Sequence, residues 1–144
     1  MLKRLFDWAS YKEPEASAPS AEQSAVALLY MLAKSDQEVD NVEIDTIRSA
    51  ALSLGLAPDE IDLTLTEAEQ MADQATSVYE FTQGMSEYMP YEWRVKLIEL
   101  LWQVAYADER IDKYEEHLIR RVCDLLYVSH SEFIKRRNIV RDGN

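Results

Sequence analysis

The chain has 144 residues, enough for one domain that buries about two-thirds of its extended-chain surface. Its 27 acidic and 15 basic residues give a formal net charge of −12, which argues against nucleic-acid binding and against broad docking on an anionic membrane, since both need clustered Lys and Arg. Three Gly and four Pro are too few for many tight turns, so the composition predicts an all-α fold.

Residues 1–12, MLKRLFDWASYK, set Leu2, Leu5, Phe6 and Trp8 near helical spacing, with Lys3 and Arg4 opposite. Such a segment suits weak contact with a membrane or a partner, or packing back onto the main domain. EPEASAPS follows and reads as a flexible linker, setting residues 1–20 apart from a helical domain over 21–144. MLKRLF has the basic start of a signal peptide but neither its apolar run nor its cleavage site. The longest apolar run, AVALLYMLA at 25–33, is too short to span a bilayer. Cys123 is the only cysteine and lies in an apolar stripe, so no internal disulfide forms and a cytoplasmic location is expected.

From Ser20 the signals become regular. Ser20 and Gln23 predict a capping box for a helix burying Ala25, Leu28, Leu29 and Leu32. A second helix carries Ile44, Ile47, Ala51 and Leu54 and stops at Gly55. Pro58 opens a third, with Ile61, Leu65, Ala68 and Ala72 on its apolar face. A fourth, from near Thr76, places Val78, Phe81, Met85 and Tyr88 in phase. Pro90 opens a fifth with Leu97, Leu100, Leu101, Val104 and Ala105. The sixth carries Leu118, Val122 and Leu125, and Ser129 caps the last, with Phe133 and Ile134. The expectation is a bundle of about seven helices.

The second and sixth helices are preceded by matching text. SDQEVDNVE and ADERIDKYE align without gaps at an offset of 72, placing Asp36 on Asp108, Asp40 on Asp112 and Glu43 on Glu115. The match extends from Leu28-Leu29 on Leu100-Leu101 to Ile61 on Phe133. It predicts two helix–acidic loop–helix repeats, about 21–73 and 93–144, related by a pseudo-two-fold axis. Charge is uneven between them. Asp36 to Glu92 holds fourteen acids and one base, whereas Trp93 to Asn144 holds nine acids and ten bases.

Asp40-x-x-Glu43 and Asp112-x-x-Glu115 have the spacing of a capping box, each cap being worth about 1 kcal/mol, with Val39 and Ile111 as hydrophobic staples. Capping leaves Asp36 and Asp108 unexplained, because both sit at the C-terminal end of a helix, where an anion is disfavoured. Three carboxylates around a short turn repel one another unless a cation or an Arg neutralises them. Oxygen ligands suit Ca²⁺ or Mg²⁺, and a carboxylate with two oxygens can cap and ligate together. An EF-hand is excluded: its required Gly falls on Asn41 or Lys113, and its bidentate Glu on Ile47 or Ile119.

At these residues the sequence resembles the tellurite-resistance TerB family, whose signature is a twofold A-D-G-x-[IV]-D-x-x-E turn between helices. The resemblance runs from about Ala21 to Val140 and is closest to the stand-alone TerB-like proteins. It implies an all-α bundle with an internal pseudo-two-fold and a metal-ion site formed by Asp36, Asp40, Glu43, Asp108, Asp112 and Glu115. The family's Gly is replaced here by Gln37 and Glu109, and Arg110 stands where the first repeat has Glu38. The Arg110 guanidinium is able to neutralise Asp108 or Asp112 in place of an ion, and in that case the second half-site is self-paired and only the first binds metal.

No nucleophile with a partner is evident, His117 and His130 are isolated, and Gly-rich phosphate loops are absent. The leading reading is a non-catalytic module whose acidic loops bind a divalent cation and whose partner is a protein with a basic surface. The alternative is an acidic interaction domain whose carboxylates are only caps. A third reading, metal-dependent hydrolysis of phosphate compounds, needs an open metal position beside a deep pocket.

Overall fold

The computed structural model describes residues 19–36, 39–107 and 111–143 of the chain. The amphipathic segment 1–12 and nearly all of the linker therefore lie outside the described residues. The fold is an all-α bundle. In order the helices are α1 (Ala21–Ala33), α2 (Asn41–Ser53), α3 (Ile61–Gln74), α4 (Tyr79–Thr82), α5 (Met85–Tyr88), α6 (Tyr91–Ala105), α7 (Lys113–Leu125) and α8 (His130–Gly143). Short 3-10 turns, Lys34–Asp36 and Pro58–Glu60, follow α1 and precede α3.

α1 is the innermost helix. Ser24 to Tyr30, Leu32 and Ala33 are all buried, so its surface is apolar nearly all round and must be enclosed by neighbours. It packs on α2, α3 and α6. α6 is buried almost as fully and packs in turn on α7 and α8. Trp102 of α6 anchors α8: its ring lies 5.2 Å from that of Phe133, and its indole N–H donates to the Phe133 carbonyl at 3.1 Å. A buried aromatic with a satisfied N–H contributes its full apolar area at no polar cost.

Two expectations are corrected. The fourth predicted helix is broken into α4 and α5 at Gly84, whose φ of +88° leaves the helical region. Val78, Phe81 and Met85 still reach the core, but Tyr88 is exposed. Pro58 opens a 3-10 turn, and the α-helix begins only at Ile61.

The predicted caps form. Ser20 and Gln23 make a reciprocal capping box, and the Ser129 hydroxyl accepts from the Glu132 N–H at 3.3 Å. α2 ends in a Schellman motif, with the N–H of Leu56 donating to the carbonyl of Ala51 and that of Gly55 to Leu52. α7 ends the same way: Val128 donates to Cys123 and Tyr127 to Asp124. The left-handed position holds Gly55 (φ +107°) in the first case and Tyr127 (φ +56°) in the second. Only the second has a side chain to strain, and Tyr127 is 74% exposed.

Replacing Tyr127 by Gly should therefore raise the unfolding free energy by about 1 kcal/mol, and Gly55→Ala should lower it by about the same amount. Urea unfolding of both variants and the parent checks the pair.

Candidate functional site

Each acidic loop ends in a complete capping box. Asp40 Oδ1 accepts from the Glu43 N–H at 3.0 Å, and Glu43 Oε1 accepts from the Asp40 N–H at 3.2 Å. The second box repeats this, with Asp112 Oδ1 to Glu115 N–H at 2.9 Å and Glu115 Oε1 to Asp112 N–H at 3.3 Å. Val39 and Ile111, just ahead of the caps, are half-buried against the core.

The four acids do not share one environment. Asp40 and Asp112 are exposed, and each commits only Oδ1 to its cap. Glu43 and Glu115 are buried, with 1% and 2% exposure. The cause is periodicity: Glu43, Ile47, Ala50 and Ala51 are the buried residues of α2, and Glu115, Ile119, Val122 and Cys123 those of α7. In both helices Glu stands where an apolar side chain would complete the stripe. A capping box operates equally well at the surface, so capping by itself does not require this burial.

Asp36 closes the 3-10 turn Lys34–Asp36, which packs against α7, so the first loop meets the second half of the chain. The Asp36 side chain and residues Gln37, Glu38, Asp108, Glu109 and Arg110 lie outside the described residues, as does the expected pairing of Arg110. Among the described residues, no three His, Cys, Asp or Glu side chains stand close enough to hold a metal ion. As donors, the exposed carboxylates of Asp40 and Asp112 fit a hard cation, and the buried Glu carboxylates reach back to the same caps.

The nearby bases of the first half face elsewhere. Lys34 pairs with Asp73 at 2.9 Å and Glu69 at 3.4 Å on α3, and the hydrogen bond it donates to Asp73 holds its ammonium above the usual lysine range. Arg48 pairs with Asp62 on α3 at 2.7 Å.

A family profile described as tellurite resistance protein TerB matches residues 22–138. The chain belongs to the TerB family. No curated protein and no solved structure matches it. The matched span of this TerB chain contains both acidic loops and covers all eight described helices but for Ala21 of α1 and the last five residues of α8.

Other reactive groups are placed away from the loops. Cys123 is buried, and burial pushes its thiol up to about 12, which makes it a poor nucleophile. His117 is exposed, and His130 stacks on Phe133 with ring centroids 5.4 Å apart. A cleft of about 530 Å³ between α6 and α8 is lined by Thr46, Glu99, Gln103, Tyr106 and Ile139 among other described residues. Among the described residues, no helix is long and apolar enough to cross a membrane.

The phase of Glu43 and Glu115 with Ile47 and Ile119 is the sequence signal for their burial, and the capping-box spacing is the signal for their polar role. Asp40→Ala and Asp112→Ala should each destabilise the fold by about 1 kcal/mol in thermal or chemical unfolding, since each removes the acceptor for an N3 amide.

Proposed function

We propose that this TerB domain is a cytoplasmic, non-catalytic module that binds a hard divalent cation, Ca²⁺ or Mg²⁺, at its acidic loops and presents a cation-dependent surface to a basic protein partner. The ligands are Asp36, Asp40 and Glu43 in the first loop and Asp108, Asp112 and Glu115 in the second. The halves 21–73 and 93–144 are read as pseudo-two-fold copies, since α2 and α7 bury the same positions at an offset of 72. One observation carries the cation reading: in both halves a Glu is buried next to an exposed Asp cap, an arrangement that capping alone does not call for.

A bound cation would supply positive charge and rigid oxygen coordination at the loop. The protein's own part is to hold the oxygens. The cap fixes the exposed Asp40 and Asp112 through Oδ1, and the buried stripe fixes the Glu carboxylates beside them. Membership in the TerB family supports an association with tellurite resistance.

The completeness of both capping boxes favours a second reading, in which the acids are caps and a solvated face and the module is structural. Asp36 and Asp108 separate the two, because neither is a cap residue. Calorimetric titration of metal-free protein with Ca²⁺, Mg²⁺ and Mn²⁺ should show saturable binding that the Asp36→Asn, Asp108→Asn double variant loses while its unfolding midpoint without ion does not fall. Absence of binding to the parent at millimolar ion would leave the structural reading.

A further inference from the structure

Three helices build the cleft of about 530 Å³, a size within the range of small-molecule sites. Glu99, Gln103 and Tyr106 follow at steps of four and three and so line it from one face of α6. Ile139 and Gly143, four apart, line it from α8, and Thr46 lines it from α2. The Tyr106 ring lies 6.0 Å from the ring of buried Trp102 and packs against the core, which fixes it as a wall of the cleft.

The 72-residue offset shows which side chains leave this space open. Gln103 aligns with Met31, Gly143 with Met71 and Thr46 with Leu118. Met31, Met71 and Leu118 are all half-buried against the core. Ile139, by contrast, is 45% exposed and aligns with the exposed carboxylate of Glu67. Three apolar side chains are thus exchanged for an amide, a hydroxyl and a hydrogen, while an acid is exchanged for an apolar side chain. A Cβ added at Gly143 would meet nothing within 4 Å, so the end of α8 leaves room that a larger residue could fill. Filling such room normally stabilises a fold, so packing does not call for the cleft.

The chemistry of the lining favours a neutral occupant. Glu99 is the charged residue of the described lining, and Arg136 pairs with it at 2.9 Å. Thr46 Oγ1 donates to the Val42 carbonyl at 2.9 Å, which leaves its oxygen as an acceptor. Gln103 offers the adjacent donor and acceptor of a carboxamide, and Tyr106 offers an aromatic ring and a phenol. A second carboxamide pairs reciprocally with the first, and an aromatic ring beside it can lie against Tyr106 and Ile139.

We propose that this cleft is a binding site for a small uncharged aromatic amide, hydrogen-bonded by Gln103 and Thr46 and flanked by Tyr106 and Ile139. The assignment rests on the reading of the two halves as copies. It is independent of the cation at the acidic loops and of the protein partner.

The test is amide-resolved NMR of the labelled full chain titrated with benzamide, and separately with benzoate and benzylamine, which keep the ring and change the charge. Benzamide should shift signals around Gln103, Tyr106 and Ile139 saturably, and more tightly than either ion. The Gln103→Met, Gly143→Met variant, which refills the cleft as the other half does, should bind benzamide about tenfold more weakly without a fall in its unfolding midpoint. Tyr106→Lys, which removes the ring and adds no bulk to the amide side, should weaken binding as well and carries the test if the refilled variant unfolds. No saturable shift of the parent by benzamide would overturn the proposal. Shifts that both variants retain would also overturn it, since the site would lie elsewhere. Tighter binding of benzoate or benzylamine than of benzamide would contradict the neutral class.

Discussion

Each acidic loop passes the chain from a helix enclosed on nearly every side to one with a single buried stripe, and the reciprocal Asp–Glu bonds fix where that second helix begins. The register matters because α2 and α7 each bury four residues at the same spacing, starting from the capping Glu. A slip of one residue would rotate the stripe by about 100° and withdraw Ile47 or Ile119 from the core. The cap therefore sets both the packing of α2 and α7 and the position of the carboxylates. Structure and candidate chemistry use the same four side chains, each with two oxygens to divide between the tasks.

The two halves share this device and differ in their electrostatics. In the first, Lys34 and Arg48 are both drawn to α3, where Asp62, Glu69 and Asp73 hold them. In the second, α8 is held by Arg136, which pairs with Glu99 of α6 at 2.9 Å and with Glu132 of its own helix at 3.0 Å. The position matched to Lys34 is Tyr106, which lines the cleft between α6 and α8. Matching capping boxes thus sit on two different surfaces, acidic with few bases in one half of the sequence and mixed in the other. Sequence polarity of this kind fixes how each half presents charge without altering the core.

The helices were legible because their apolar residues recur at steps of three and four and their ends carry Ser, Asp, Gly and Pro in places with a mechanism. The 72-residue offset also aligned the two Schellman positions, Gly55 and Tyr127, although the strain at Tyr127 follows only from the backbone. The break at Gly84 was hidden by an apolar phase that runs through it from Phe81 to Met85, since side-chain periodicity carries no record of a positive φ. Arg94 of α6 donates to the Leu126 carbonyl, 32 residues away, so no local pattern encodes that bond. The candidate ligands were legible as a set from repetition, and the structure adds that Glu43 and Glu115 are buried while Asp40 and Asp112 are exposed.

Whether those acids act together on a cation is answered most directly by residue-resolved NMR of the labelled full chain titrated with substoichiometric Mn²⁺, whose unpaired electrons broaden nearby amide signals. Binding at the acidic loops predicts selective, saturable broadening of residues 36–43 and 108–115, displaced by excess Ca²⁺ or Mg²⁺. Broadening spread evenly over the acidic residues of α3 and α4, with the two loops no more affected than the rest, would contradict a built cation site.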